Sequence, residues 1–123
     1  MPRPDRERLE DIASACGAVA RFVGSRDEAA FVADELVRSA VCWQLLVIGE
    51  AAKAVSPETR AARPQIDWPG VTGFRDVLAH EYFRLSWPRI WAAATLNVPQ
   101  LAVQIREVLD SYEAEEAAEE EPS

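Results

Sequence analysis

Val37-Arg38-Ser39-Ala40-Val41-Cys42-Trp43-Gln44-Leu45-Leu46-Val47-Ile48-Gly49-Glu50-Ala51-Ala52 is the stretch that decides the fold. Its apolar residues recur at three- and four-residue steps, the period of an α-helix and not of a strand. They fall into two stripes. One runs through Val37, Val41, Leu45, Ile48, Ala52 and Val55, and the other through Val32, Leu36, Ala40, Trp43, Val47 and Ala51. A helix on a protein surface needs one apolar stripe. Two stripes predict a long helix over about 27–55 that is central in a bundle and is covered by a second subunit as well. Gly49 and Glu50 break the pattern. A glycine here lets helices approach closely at a dimer seam, and an incidental glycine fits the pattern equally well.

The flanking segments repeat the helical period. Leu9, Ile12, Cys16, Val19 and Val23 predict a one-faced helix over 5–23, with Asp5 as its cap and Gly24 at its end. Ser25 and Glu28 have capping-box spacing ahead of the long helix. Ser56 and Pro57 start a short turn to Arg63. Residues 64–73 hold Pro64, Pro69, Gly70 and Gly73, and read as a loop with one helical turn after Asp67. Trp68 is expected to plug the bundle end. A third helix over 71–83 turns Phe74, Val77, Leu78 and Ala79 inward. A fourth starts at a Ser86 cap and carries Trp87, Ile90, Trp91, Ala94, Val98, Leu101, Ile105 and Val108 through about 109. Pro99 lies inside that run and is expected to kink the helix without ending it. Trp43 and Trp91 are read as core. No strand-like alternation, internal repeat or glycine-rich phosphate loop occurs, so the fold class is an all-α bundle with four main helices.

Composition narrows the function classes. At 123 residues and 49% hydrophobic, the chain suits one domain with its own core. No apolar run approaches membrane-spanning length, and the charged start has no signal-peptide segment, so a cytoplasmic protein without a membrane partner is expected. Cys16 and Cys42 sit inside helical patterns and are expected to be reduced core thiols. One histidine and no Cys-x-x-Cys give no metal-ligand set, so neither metal nor cofactor is expected. The net charge of −8 looks wrong for a nucleic-acid enzyme, but six of those charges are Glu113, Glu115, Glu116, Glu119, Glu120 and Glu121. The rest is near neutral, which permits a local basic patch. The expected division is a helical domain over 1–112 and an acidic, mobile tail over 113–123.

The lone histidine lies in Phe74-Arg75-Asp76-Val77-Leu78-Ala79-His80-Glu81-Tyr82. On a helix Asp76 and His80 stack one turn apart, and Arg75 and Tyr82 share the adjacent stripe. The group suits phosphodiester cleavage. RNA carries its own nucleophile, the 2′-hydroxyl. Imidazole can move the proton, guanidinium can bind phosphate through its planar fork, and Asp76 can orient the imidazole. A histidine beside an aspartate four residues away is also an ordinary surface pair, and spacing alone leaves both readings open. Lys53 and Arg84 are candidate contacts to an RNA backbone, with Arg38 and Arg89 beside them.

The same segment resembles the Arg-x4-His form of the HEPN superfamily motif. Its His-x-Tyr extension, His80-Glu81-Tyr82, resembles the HepT-like branch, the toxins of HepT/MntA toxin–antitoxin pairs. The likeness extends to Phe31–Val37, Ile48–Lys53, Pro64–Trp68 and Val77–Phe83, and covers about residues 6–110 in order. It implies a homodimeric, antiparallel bundle of four to five helices with a composite ribonuclease site between subunits. It implies Arg75 and His80 as catalytic residues of a metal-independent endoribonuclease, the toxin of a type VII-like pair. It implies Tyr82 as the residue to which an MNT-type nucleotidyltransferase antitoxin adds AMP. The residue after the arginine is often asparagine in this branch. Here it is Asp76, which still accepts a hydrogen bond while its charge offsets Arg75. A different class of function, a non-catalytic helical adaptor that binds the nucleotidyltransferase and accepts AMP, fits the acidic balance and Asp76.

Overall fold

The structure is a computed structural model that describes residues 3–80 and 86–120, apart from the side chains of Arg3, Val77, Ala79 and His80. Every regular element in those residues is helical. The order is α1 (Arg3–Val23), α2 (Glu28–Ala33), α3 (Glu35–Ala54), α4 (Pro57–Ala62), α5 (Trp68–His80), α6 (Trp87–Ala92), a π-helical turn (Ala93–Asn97) and α7 (Val98–Glu120). Helix α1 packs against α3 and α7, and α3 packs against α5 as well. Among the described residues no helix is long and apolar enough to cross a membrane.

The predicted stripes meet in one core. Leu9, Ile12, Cys16 and Val19 of α1 face Val41, Leu45, Ile48 and Ala52 of α3, and Leu101, Ile105 and Val108 of α7 close the other side. Gly24 ends α1 at φ 54°, a left-handed conformation that costs glycine nothing. Trp68 is buried and donates its indole N–H to the Arg63 carbonyl at 3.1 Å. Both cysteines are buried and free, and burial pushes the Cys16 thiol up to about 12 and the Cys42 thiol up to about 11.

Several local expectations are corrected. The helix expected over 27–55 is two helices, because Asp34 leaves the helical conformation (φ −102°, ψ 97°). Asp34 ends α2 with its N–H on the Phe31 carbonyl and caps α3 with its side chain on the Val37 N–H. The cap of α2 is Asp27 and not Ser25, with the Asp27 carboxylate accepting from the Ala30 N–H at 2.8 Å. Ser56 caps α4 as expected, with Pro57 in its first turn. Ser86 occupies the cap position of α6 but makes no side-chain cap bond. The loop expected over 64–73 is shorter, because α5 already begins at Trp68. Asp67 accepts from the Gly70 N–H at 3.1 Å, and Pro69 sits in the first turn, where a missing N–H costs no helical bond.

The irregularity at Pro99 is displaced and of another kind. Pro99 cannot donate, and its ring crowds the carbonyl four residues back. The chain responds one turn earlier with the π turn, in which the Val98 N–H reaches the Ala93 carbonyl. The apolar face still continues through Val98, Leu101, Ile105 and Val108, all buried. Helix α7 then runs on to Glu120 through the glutamate-rich segment expected to be mobile, and Arg6 pairs with Glu116 there.

Asp5 is also reassigned. It lies inside α1, is only 3% exposed, and caps nothing. Its carboxylate accepts from the Ser56 N–H at 2.9 Å, the Ser56 hydroxyl at 2.6 Å and the Thr59 hydroxyl at 2.6 Å. It therefore clasps the first turn of α1 to the corner between α3 and α4. Burial acts to raise the Asp5 pKa, but the hydroxyl and amide bonds outweigh it and hold the carboxyl below its ordinary value.

Helices α3 and α5 touch most closely at Gly49. A Cβ added there would lie 2.7 Å from both the Cβ and the backbone nitrogen of Arg75. The close approach anticipated at a dimer seam is thus made within one chain.

Two stability measurements check this packing. The stabilisation from a depressed carboxyl is present above its ordinary pKa and lost as pH falls through the folded value. Denaturant midpoints should therefore fall in acid below the usual aspartate value of 3.8. Asp5→Asn should flatten that fall, and Asp5→Ala should cost about 2–3 kcal/mol near neutral pH by orphaning its donors. Gly49→Ala should lower the melting temperature, since overpacking costs about 1–3 kcal/mol. Gly73→Ala, where a new Cβ meets nothing within 4 Å, should raise it, since alanine gains roughly 0.5–1 kcal/mol over glycine in a helix.

Candidate functional site

Helix α5 has one face that packs and one that does not. Leu78 is buried and Phe74 is half-buried against the core. The residues that follow Phe74 are turned outward by the helical step, so Arg75 is half-exposed and Asp76 exposed. His80 is the last residue of the same uninterrupted helix. On α-helical geometry it stands about 7.5 Å further along the axis than Arg75. Glu81, Tyr82 and Arg84 lie outside the described residues, so the structure leaves the Tyr82 and Arg84 assignments where the sequence put them. The expected side-chain pair of Asp76 with His80 is likewise outside them.

Arg75 is held by two carboxylates. Its Nε donates to Oε1 of Glu50 on α3, and its Nη1 donates to Oδ1 of Asp76 at 3.3 Å. The Glu50 hydrogen bond and charge, with Asp76 behind them, raise the Arg75 pKa above its ordinary value and keep it a cation. A guanidinium offers five N–H donors. Two are engaged in these bonds, and the other three N–H groups sit on the outer nitrogens Nη1 and Nη2. Asp76, expected to orient the histidine, accepts from Arg75 through Oδ1.

Glu50 is the site residue that sequence reasoning missed. The signal was present, since a carboxylate interrupts an otherwise apolar stripe immediately after a helical glycine. What periodicity could not supply was the partner, twenty-five residues on in another helix. Lys53, one turn beyond Glu50, is exposed. Arg38 is engaged elsewhere, its guanidinium lying 4.7 Å over the Trp87 ring and bonding the Val32 carbonyl. Arg89 is exposed. Among the described residues no group of three or more His, Cys, Asp or Glu stands where it could hold a metal ion.

Beside the site runs an unpaired apolar strip. Trp43, expected in the core, is 62% exposed, and Leu36 one heptad earlier is 79% exposed. Val41, Leu45 and Ile48 already fill the inner face of α3; Val32, Val47 and Ala51 of the second stripe pack beside them, and among the described residues Leu36 and Trp43 are left uncovered. Trp43, Leu46, Val47 and Ala54 line an open groove between α1 and α3, with Glu50 in its wall and Arg8 and Asp11 on its α1 side. Trp91 is half-buried and meets Phe31 with ring centroids 5.4 Å apart.

This arrangement has relatives. The family model described as "Ribonuclease HepT-like" matches residues 12–108. "Putative RNase TTE0752" of Caldanaerobacter subterraneus subsp. tengcongensis is 33% identical over 108 residues, covering 88% of this chain and 94% of the relative. "Putative RNase MJ0125" of Methanocaldococcus jannaschii is 29% identical over 114 residues, covering 92% and 98%. "Probable ribonuclease HepT" of Thermococcus cleftensis is 31% identical over 101 residues, covering 82% and 92%. No solved structure matches the chain significantly. The matched span takes in the core of α1, all of α3 and α5 with the Arg75–Glu50 pair, and α7 as far as Val108, and on that ground the chain belongs to the HepT-like ribonuclease family.

Proposed function

We propose that this protein is a metal-independent endoribonuclease whose site is built from Arg75 and His80 of two subunits, and that it is the toxin of a type VII-like toxin–antitoxin pair. The observation that carries the reading is the family match over residues 12–108, which includes the Arg75-to-His80 segment. The chemistry follows from the residue types. His80 of one subunit takes the 2′-hydroxyl proton of RNA, and the 2′-oxygen attacks the adjacent phosphorus. The 5′-oxygen leaves with a proton supplied by the partner subunit's His80. The products are a 2′,3′-cyclic phosphate and a 5′-hydroxyl, and no other nucleophile is needed. Arg75 stabilises the charge that gathers on the phosphate oxygens in the transition state. Lys53 and Arg84 contact the RNA backbone.

The dimer is supported by the apolar strip of α3. Leu36 and Trp43 are exposed on α3, and Trp43 lines the groove that Glu50 borders, so a second copy seated there would cover apolar surface next to the carboxylate that holds Arg75. Tyr82 is the residue to which an MNT-type nucleotidyltransferase transfers AMP. The added phosphate puts bulk and negative charge two residues from His80 and repels the substrate. A second reading has one observation in its favour. Glu50 and Asp76 offset much of the Arg75 charge, as suits a non-catalytic adaptor that serves only as the AMP acceptor.

Three measurements test these statements. RNA cleavage in the presence of EDTA should persist in the wild type and fall at least about 100-fold in His80→Ala and in Arg75→Ala. Variants that cut as the wild type does would sink the ribonuclease reading, and a wild type that cuts nothing but is labelled from ATP at Tyr82 would establish the adaptor. Tyr82→Phe should abolish that labelling. In sedimentation at micromolar concentration, Trp43→Asp should shift the protein from dimer to monomer without loss of helicity, and an unchanged dimer would remove α3 from the seam.

A further inference from the structure

The ion pair between Glu50 and Arg75 is too exposed to be explained by stability. Side-chain exposures of 55% and 33% put it among surface pairs, which contribute little to folding. The backbone has nonetheless been shaped for it. The missing Cβ at Gly49 lets the first atoms of the Arg75 side chain press against α3, so that the arginine stem is confined before its guanidinium begins. The next residue of α3 then takes the guanidinium by Nε, its innermost nitrogen. Holding an arginine by Nε fixes the plane of the fork and leaves its outer end free. Asp76 steadies one outer nitrogen from the same helix at 3.3 Å. Phosphate oxygens can pair with the Nε–Nη2 side or the Nη1–Nη2 end of the fork, and Glu50 stands on the first, leaving the second for a ligand beside Asp76.

We propose that Glu50 is a positioning residue, which through Nε orients the Arg75 guanidinium so that the outer N–H groups of Nη1 and Nη2 face the RNA phosphate. The inference rests on the ribonuclease reading and adds to it a residue from a different helix. Glu50 acts on the reaction only through Arg75. Gly49 is part of the same device, because a side chain there would push α5 outward and carry Arg75 beyond the reach of Glu50.

The test reads orientation and reaction separately on the full chain. The first readout is the arginine Nε–H region of a 1H–15N spectrum, with the Arg75 signal identified by its loss in Arg75→Lys. It should be sharp and slowly exchanging in the wild type, and kept in Glu50→Gln, whose amide oxygen still accepts. It should be averaged to the free-arginine position in Glu50→Ala. The second readout is cleavage. Glu50→Ala should lower kcat about 10- to 100-fold, as misplacement of a reacting group does, with KM nearly constant. Glu50→Gln should recover most of the rate, and Glu50→Ala should add nothing to Arg75→Ala. An Nε–H signal indifferent to Glu50→Ala overturns the inference, as does a Glu50→Ala protein that cuts as fast as the wild type or faster. A wild type that cuts no RNA refutes the ribonuclease reading instead. The Nε–H signal then decides for Glu50: averaging in Glu50→Ala with recovery in Glu50→Gln supports the orienting role, and a signal indifferent to both overturns it.

Discussion

The burial of α3 on two sides governs the rest of the structure. Val41, Leu45 and Ile48 are fully buried, with α1 against one flank of the helix and α5 against another. Such burial removes three large aliphatic side chains from water, each contributing about 1.5–3 kcal/mol. It leaves α5 little choice of position, and so sets where Arg75 emerges. The glycine at the crossing then decides how near α5 can come. Site geometry here is a by-product of helix packing, refined by one absent methyl group.

The periodic part of the architecture was legible because periodicity is a local record of a non-local fact, the direction of the core. The stripe Leu9–Val23 and the stripe Val37–Val55 are buried as read. What was not legible depended on groups meeting across the chain. Asp5 looks like a cap because aspartate near a helix start usually is one, yet its partners are Ser56 and Thr59. Trp43 looks like core because tryptophan in a helical stripe usually is, yet it is exposed and nothing among the described residues covers it. Asp34 was passed over because a single aspartate does not interrupt an apolar period, although its backbone N–H can end one helix while its side chain begins the next. Pro69 and Gly70 suggested a loop, although both residues suit the first turn of a helix.

The candidate site divides in the same way. Arg75, Asp76 and His80 could be named from one helix, because residues a turn apart are neighbours whatever the tertiary structure. Glu50 could not, since nothing in either helix says that they cross at Gly49. The result is an arginine whose surroundings are more acidic than its own segment suggests. A phosphate approaching this cation meets a group already balanced by two carboxylates, so the electrostatic attraction is short-ranged and selective for a ligand that can reach the outer edge of the fork.

The Asp5 clasp has a consequence for how the chain folds. Asp5 and Thr59 are separated by 54 positions, and the bonds from Asp5 to Ser56 and Thr59 close a loop that includes most of α1 and all of α2 and α3. Closing so long a loop costs entropy that three hydrogen bonds alone do not offset. The clasp therefore belongs to the end of the folding route, after α1 and α3 have docked through their apolar faces. Interactions made that late act on the rate of unfolding and leave the rate of folding nearly untouched. By this logic Asp5 sets the lifetime of the native state, while the apolar seam between α1 and α3 sets how quickly that state is reached.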